Sequence, residues 1–284
     1  MFSSFSRSWE LVKASWAVLR ADKELIVFPI VSMIGMVIVT IAFIIPSIAA
    51  GVFDSVTSGR NSGNGVLSLI VGFLFYVVIY SVIFFANTAL VGAAMMRLRG
   101  ENPTLRDGFR IASEHASAIL GYAVISATVG VILNAISERA GIVGQIVISI
   151  IGFVWNVATY LVVPVLVVEK VGPIDAIKRS AQLLKQTWGE QLVGNFSMGA
   201  VFGLAGIVIV FVLGIPLMAL ASAANSPALL VLFILLLVLA LVALGVVSST
   251  LQGIYTAALY RYATEGTTGG MFDDDIVKNA FRPK

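Results

Sequence analysis

No cysteine occurs anywhere in the sequence, and it holds a single histidine, His115. The first absence excludes disulfide scaffolds, thiolate metal sites and cysteine nucleophiles together. The second leaves little room for His-rich metal centres or serine–histidine chemistry. Charge is scarce too: Asp, Glu, Lys and Arg make up 12% of the 284 residues, where an ordinary soluble domain has about a quarter. What fills the space is apolar, at 59% of the chain before 26 glycines are counted. With a net charge of only +3, so apolar a chain is neither disordered nor an ordinary soluble globule.

The missing charges fall in blocks. Between Glu24 and Asp54 lie 29 uncharged residues, between Arg60 and Arg97 36, between Glu114 and Glu138 23, and between Arg139 and Glu169 29. Each block suits one membrane-spanning helix, which needs about 20 nearly charge-free residues. The block from Glu190 to Arg261 holds 70, about 105 Å as helix and far too long for one crossing. The Asn225, Ser226, Pro227 triplet near its middle supplies the turn. Six spans follow, near 25–52, 66–95, 116–137, 141–168, 192–222 and 228–259.

Basic residues then orient the spans. Four segments carry 16 of the 18 Lys and Arg residues: the N-terminal segment, the second and fourth connections, and the C-terminal tail. The remaining connections hold only Arg60 and Arg139. Since short cytoplasmic loops hold the excess of Lys and Arg, both termini are expected in the cytoplasm and the protein in the inner (cell) membrane. The first apolar run starts too late and runs too long for a cleaved signal peptide.

An internal repeat organises the cytoplasmic side. Phe5, Trp9, Val12 and Trp16, then Leu105, Phe109, Ala112 and Ala116, then Ile177, Ala181, Leu184 and Trp188 each step by four, three and four residues, one face of a helix. Arg7, Ser8, Leu11, Lys13 and Trp16 recur as Arg179, Ser180, Leu183, Lys185 and Trp188. Pro103 and Pro173 stand where a first helical turn begins. The expected fold is thus all-α: a polytopic membrane protein of six transmembrane helices, built as three parallel repeats of an interfacial amphipathic helix plus a transmembrane hairpin. The units fall at about 1–99, 100–168 and 169–265 of a single membrane domain, 1–265, and residues 266–284 form a cytoplasmic tail.

The stretch VVPVLVVEKVGPIDAIKRSAQLLKQTWGEQLVG, Val162 to Gly194, resembles the signature of an uncharacterised family of six-helix bacterial and archaeal integral membrane proteins. The opening SWELVKASWAVLRADKELIVFPI and the closing ALYRYATEG with MFDDDIVKNAF resemble it too. A more distant resemblance is to the membrane domain attached to some glycerophosphodiester phosphodiesterases. The resemblance implies a six-helix membrane fold and transfers no activity, since the soluble phosphodiesterase domain has no counterpart here.

The residues themselves offer little chemistry. No predicted span contains a charged residue, which disfavours proton relays and voltage sensing. Gly194, Asn195, Phe196, Ser197, Met198, Gly199 misses the serine-elbow spacing by one residue, and no span supplies a histidine base. His115 reads as an interfacial polar residue. Asp273, Asp274 and Asp275 read as a solvated tail rather than a cation site, and Phe272, Ile276 and Ala280 have helical spacing that suits a short docked helix. Neither cofactor nor metal is expected. The dispersed cations, without a nucleic-acid motif, point away from nucleic acid.

Two sets of residues remain as binding candidates. Arg7, Lys13, Lys178, Arg179, Lys185, Trp16 and Trp188, with Trp9, suit lipid headgroups, because tryptophan favours the headgroup boundary and cations favour an anionic leaflet. Asn134, Gln145, Asn156, Thr159, Asn195 and Gln252 form a one-sided polar seam expected to face the bundle interior, with Gly199 and Gly203 as a close helix contact. The favoured expectation is a non-enzymatic accessory membrane protein that binds lipids, or a protein partner in the membrane or at its cytoplasmic face. The alternative is a transporter or channel for a neutral or lipid-like solute along the seam of spans three to six.

Overall fold

In the computed structural model, helices begin and end close to where the charges do. The structure describes residues 2–49, 65–188, 197–224, 226–270 and 272–278, and among them there is no strand. Six helical stretches are long and apolar enough to cross a membrane: Lys23–Ala49, Val66–Leu98, Ala116–Glu138, Val143–Glu169, Val201–Ala223 and Pro227–Glu265. The all-α, six-span expectation is met. A further helix precedes each pair of spans: α1 (Phe2–Ala21) precedes α2 (Val27–Ala49) and α3 (Gly65–Leu98). Likewise α4 (Leu105–Glu114) precedes α5 (Ala116–Arg139) and the broken pair α6 (Ile142–Ala158) and α7 (Val162–Glu169). In the last set α8 (Pro173–Trp188) precedes α9 (Ser197–Val208), a π-helical segment (Ile209–Gly214), α10 (Ile215–Ala223) and α11 (Pro227–Glu265), with α12 (Asp274–Lys278) in the tail.

Local chemistry accounts for the ends. Ser226 caps α11 by accepting from the Leu229 N–H at 3.5 Å, with Pro227 in the first turn, so the turn in the longest uncharged block forms where proline's missing donor costs nothing. Thr104 and Asp107 form a reciprocal capping box at the start of α4, one residue after Pro103. Pro173 is itself the first residue of α8. The fourth span breaks because Pro164 cannot donate to the Tyr160 carbonyl and its ring crowds the preceding turn. At that break the Leu161 N–H donates to the buried Ser180 Oγ of α8 at 2.9 Å.

The chain divides into two compact units, whose borders fall elsewhere than those of the repeats. One comprises Met1–Ile26, Ala94–Asn102 and Lys185–Lys284. Within it α1 packs on α9 and α11 through Leu11, Val12, Ser15, Val18 and Leu19, a face at helical spacing. The fifth span meets α11 at Gly206, next to Leu244, and at Gly214, next to Leu237. Gly199 and Gly203 are the expected contact, but among the described residues no neighbour comes within 4 Å of where their Cβ atoms would stand. Four-residue spacing identifies a thin face, and the helix crossing selects which glycines of that span meet a neighbour.

The other unit comprises Val27–Ala93 and Pro103–Leu184. A run of aromatic rings crosses it: Tyr76 stacks near Tyr80 (6.3 Å between centroids), Tyr80 on Phe84 (5.6 Å), and Phe84 meets Tyr122 of α5 (4.4 Å). Helix α4 lies so close to α2 and α3 that a Cβ on Gly108 would stand 2.4 Å from the Phe28 ring and 2.9 Å from the Ala89 carbonyl. Glycine is the residue that admits this approach.

Candidate functional site: the exposed face of the first helix

Burying Leu11, Val12, Ser15, Val18 and Leu19 leaves the opposite side of α1 uncovered. Trp9 is 46% exposed and Trp16 39%, with Lys13 and Arg20 exposed between and beyond them. Residues 9, 13, 16 and 20 step by four, three and four, so an aromatic, a cation, an aromatic and a cation follow one another along one face. The Arg20 guanidinium lies 5.8 Å from the Trp16 ring centre, a cation–π distance. Exposed Glu10 borders the face. The expected stripe of Phe5, Trp9, Val12 and Trp16 is therefore split, with Val12 packed into the protein and both tryptophans outside. Both sides of α1 carry apolar groups, and one periodicity cannot say which side packs. Of the other headgroup candidate on α1, the side chain of Arg7 lies outside the described residues.

The third of these preceding helices, α8, is arranged differently. Trp188 is 2% exposed, its Nε1 donates to the Val277 carbonyl at 3.3 Å, and its ring faces Tyr262 at 6.2 Å. It holds the tail instead of facing outward, a correction to its place among the headgroup residues. Arg179 is bound to Glu169 at 2.9 Å and Lys178 to Asp175 at 3.3 Å, while Lys185 is exposed. Two of this helix's cations thus have their charge met within the protein.

In the tail Phe272 and Val277 are buried, while of the expected face the Ile276 side chain and Ala280 lie outside the described residues. Gly266 ends α11 in the left-handed conformation, and Thr268 then donates to Asp274 Oδ1 from its N–H at 2.7 Å and its hydroxyl at 2.6 Å. These Thr268 hydrogen bonds, hydroxyl foremost, hold the Asp274 carboxyl below the usual aspartate range. Arg261 anchors the same corner, bonded to Glu265 Oε2 at 2.8 Å and to the Leu98 carbonyl at the end of α3. Between α1 and the first span, Asp22 is buried. Desolvation raises its carboxyl above the usual range against the opposing pull of the Glu24 N–H and Arg97.

The polar seam is not an inward line. Asn134, Gln145, Asn156 and Gln252 are exposed, and Asn195 lies outside the described residues. Asn134 Nδ2 donates to Glu138 Oε1 at 2.9 Å and Gln252 Nε2 to Ser248 Oγ at 3.0 Å. These two amides are satisfied one turn along their own helices, which removes their need to turn inward. Thr159 does face inward, at the break between α6 and α7, toward the Tyr122 hydroxyl of α5. His115 closes the junction of α4 and α5, its Nδ1 donating to the Ile111 carbonyl at 2.8 Å. Of these four residues of the α1 face, Trp9, Lys13, Trp16 and Arg20, Arg20 is the one sequence reasoning missed. Its position four residues beyond Trp16, in line with Trp9 and Lys13, was the available signal.

Six apolar spans, each pair preceded by a further helix, define a multi-pass helical membrane protein with an aromatic and cationic face on its first helix. The chain belongs to a family of unknown function, DUF6159, whose match covers residues 66–270. No curated protein and no solved structure matches it, and nothing in these comparisons supports the more distant likeness to the phosphodiesterase membrane domain.

Proposed function

We propose that this protein is a lipid-interacting accessory component of the inner membrane, which engages anionic headgroups of the cytoplasmic leaflet through Trp9, Lys13, Trp16 and Arg20 and works by binding rather than by catalysis. The observation that carries this reading is the exposed face itself: a side of α1 turned away from the protein that nevertheless carries two tryptophans, each next to a cation. A purely solvated face has no use for exposed indoles, whereas a headgroup boundary accommodates both indole and cation. The distribution of Lys and Arg supports placing this face, and both termini, on the cytoplasmic side. The transporter reading is weaker because Asn134, Gln145, Asn156 and Gln252 are not directed inward.

Native mass spectrometry of the purified protein with phosphatidylglycerol tests the proposal. Each cation at an anionic surface is worth about 1 kcal/mol, so Lys13→Gln with Arg20→Gln is expected to weaken lipid retention roughly tenfold or more. Changing Lys178, Arg179 and Lys185 together to glutamine is expected to do less, since two of them are already paired. Retention by the α1 double variant equal to that of the parent would refute the assignment.

A further inference from the structure

Between α3 and α5, within one of the two units, lies a cavity of about 400 Å³ unrelated to the α1 face. That volume is in the range of small-molecule sites. It lies toward the N-terminal half of α3 and the C-terminal half of α5, the end of these spans away from α4. Two glycines open it: a Cβ on Gly72 would meet nothing within 4 Å, and one on Gly130 only the Tyr80 hydroxyl, at 3.8 Å. Gly72, Tyr76 and Tyr80 follow one another at steps of four along α3, and Gly130, Asn134 and Glu138 do the same along α5. One wall is therefore aromatic with phenolic oxygens, and the facing wall ends in an amide and a carboxylate.

The polar groups of this lining are matched to one sign of charge. Glu138 is the sole charged side chain lining the cavity among the described residues. The Asn134 amide, on the same wall, already donates to it at 2.9 Å. The phenolic oxygens of Tyr76 and Tyr80 also accept. Carboxylate and phenolic oxygens suit a cation, and the surrounding aromatic and apolar wall suits one carrying carbon rather than a bare ion. An inorganic cation needs several converging oxygens, and one carboxylate on such a wall does not provide them.

We infer that the cavity between α3 and α5 binds an organic ammonium, with Glu138 as counter-charge and Tyr76 and Tyr80 as its aromatic wall. An ammonium reaches such a site in two forms, as a free organic cation or as the headgroup of a zwitterionic lipid. The inference stands independently of the α1 proposal, which concerns an anionic ligand on the other unit.

The test uses full-length protein in a nonionic detergent and two probes, tetraethylammonium and a phosphocholine lysolipid, with binding followed by isothermal titration calorimetry. Binding of tetraethylammonium identifies a free-cation site, and binding of the lysolipid alone identifies a headgroup site. In either case Glu138→Gln is expected to weaken binding at least tenfold and Glu138→Asp to weaken it less. Gly72→Leu, which grows into open space and improves helix propensity, is expected to fold and to abolish binding. Neither probe binding the parent would overturn the inference. So would equal affinity in the parent and Glu138→Gln, or undiminished binding in a folded Gly72→Leu protein.

Discussion

Arg20 holds its guanidinium 5.8 Å from the ring centre of Trp16, one helical turn back along the exposed face of α1. Such a pair contributes about 0.5–1 kcal/mol at an exposed site. Its larger consequence is that the cation and the indole are held side by side on one exposed face, as the proposed headgroup binding requires. Trp16→Ala is therefore expected to lower retention of anionic lipid although it removes no charge, and Arg20→Lys to retain more than Arg20→Gln. The two sites are neighbours, so Trp16→Ala combined with Arg20→Gln is expected to lose less than the two separate losses together. Strict additivity in native mass spectrometry would show that they act separately.

Trp188, the repeat partner of Trp16, makes a prediction about the tail instead. Trp188→Phe keeps most of the volume and removes the donation to Val277, for an expected loss of about 0.5–1.5 kcal/mol. Trp188→Ala also empties a packed site and is expected to cost about 3–5 kcal/mol. Limited trypsin digestion in detergent reads this directly, with cleavage after Lys278 faster in the alanine variant than in the phenylalanine variant. Unchanged cleavage in both would mean that the indole does not hold the tail.

Asp22 sets a pH dependence. Because burial raises its folded-state carboxyl above the unfolded value, its protonated form favours the folded state. That contribution is present below the unfolded value, near pH 4, and is lost as pH rises through the raised folded value. Asp22→Asn cannot ionise, and its amide oxygen can still accept from the Glu24 N–H. The variant is expected to melt higher than the parent at pH 7, with the difference shrinking as pH falls toward 4. An advantage independent of pH would point to packing instead of ionisation.

Topology is open to a direct test, because the chain offers a cysteine-free background. Single cysteines at positions 178 and 278 are expected to be shielded from a membrane-impermeant maleimide in intact cells, while cysteines at 60 and 139 react. Position 60 lies outside the described residues, so for that loop the labelling stands on the Lys and Arg distribution alone. Labelling of position 178 from outside would reverse the orientation.

Much of the architecture was legible in the sequence because a bilayer imposes a one-dimensional rule. A span must be about 20 residues nearly free of charge, so the intervals from Glu24 to Asp54 or from Arg139 to Glu169 announce helices without reference to any partner. Chain punctuation is equally local: Ser226 and Pro227 start α11, and Pro164 breaks the fourth span, through groups within a turn of themselves. Facing is not local. Trp16 and Trp188 occupy matching positions of the repeat, yet one is exposed and the other is covered by a tail 89 residues further along the chain. Asn134 and Gln252 have inward-looking spacing but are satisfied along their own helices, and the cavity beside Glu138 exists only because α3 and α5 bring Gly72 and Gly130 to its walls. Periodicity fixes which residues share a side of a helix. Which side is buried depends on the surface that arrives from elsewhere in the chain, and that was decided by the tertiary structure alone.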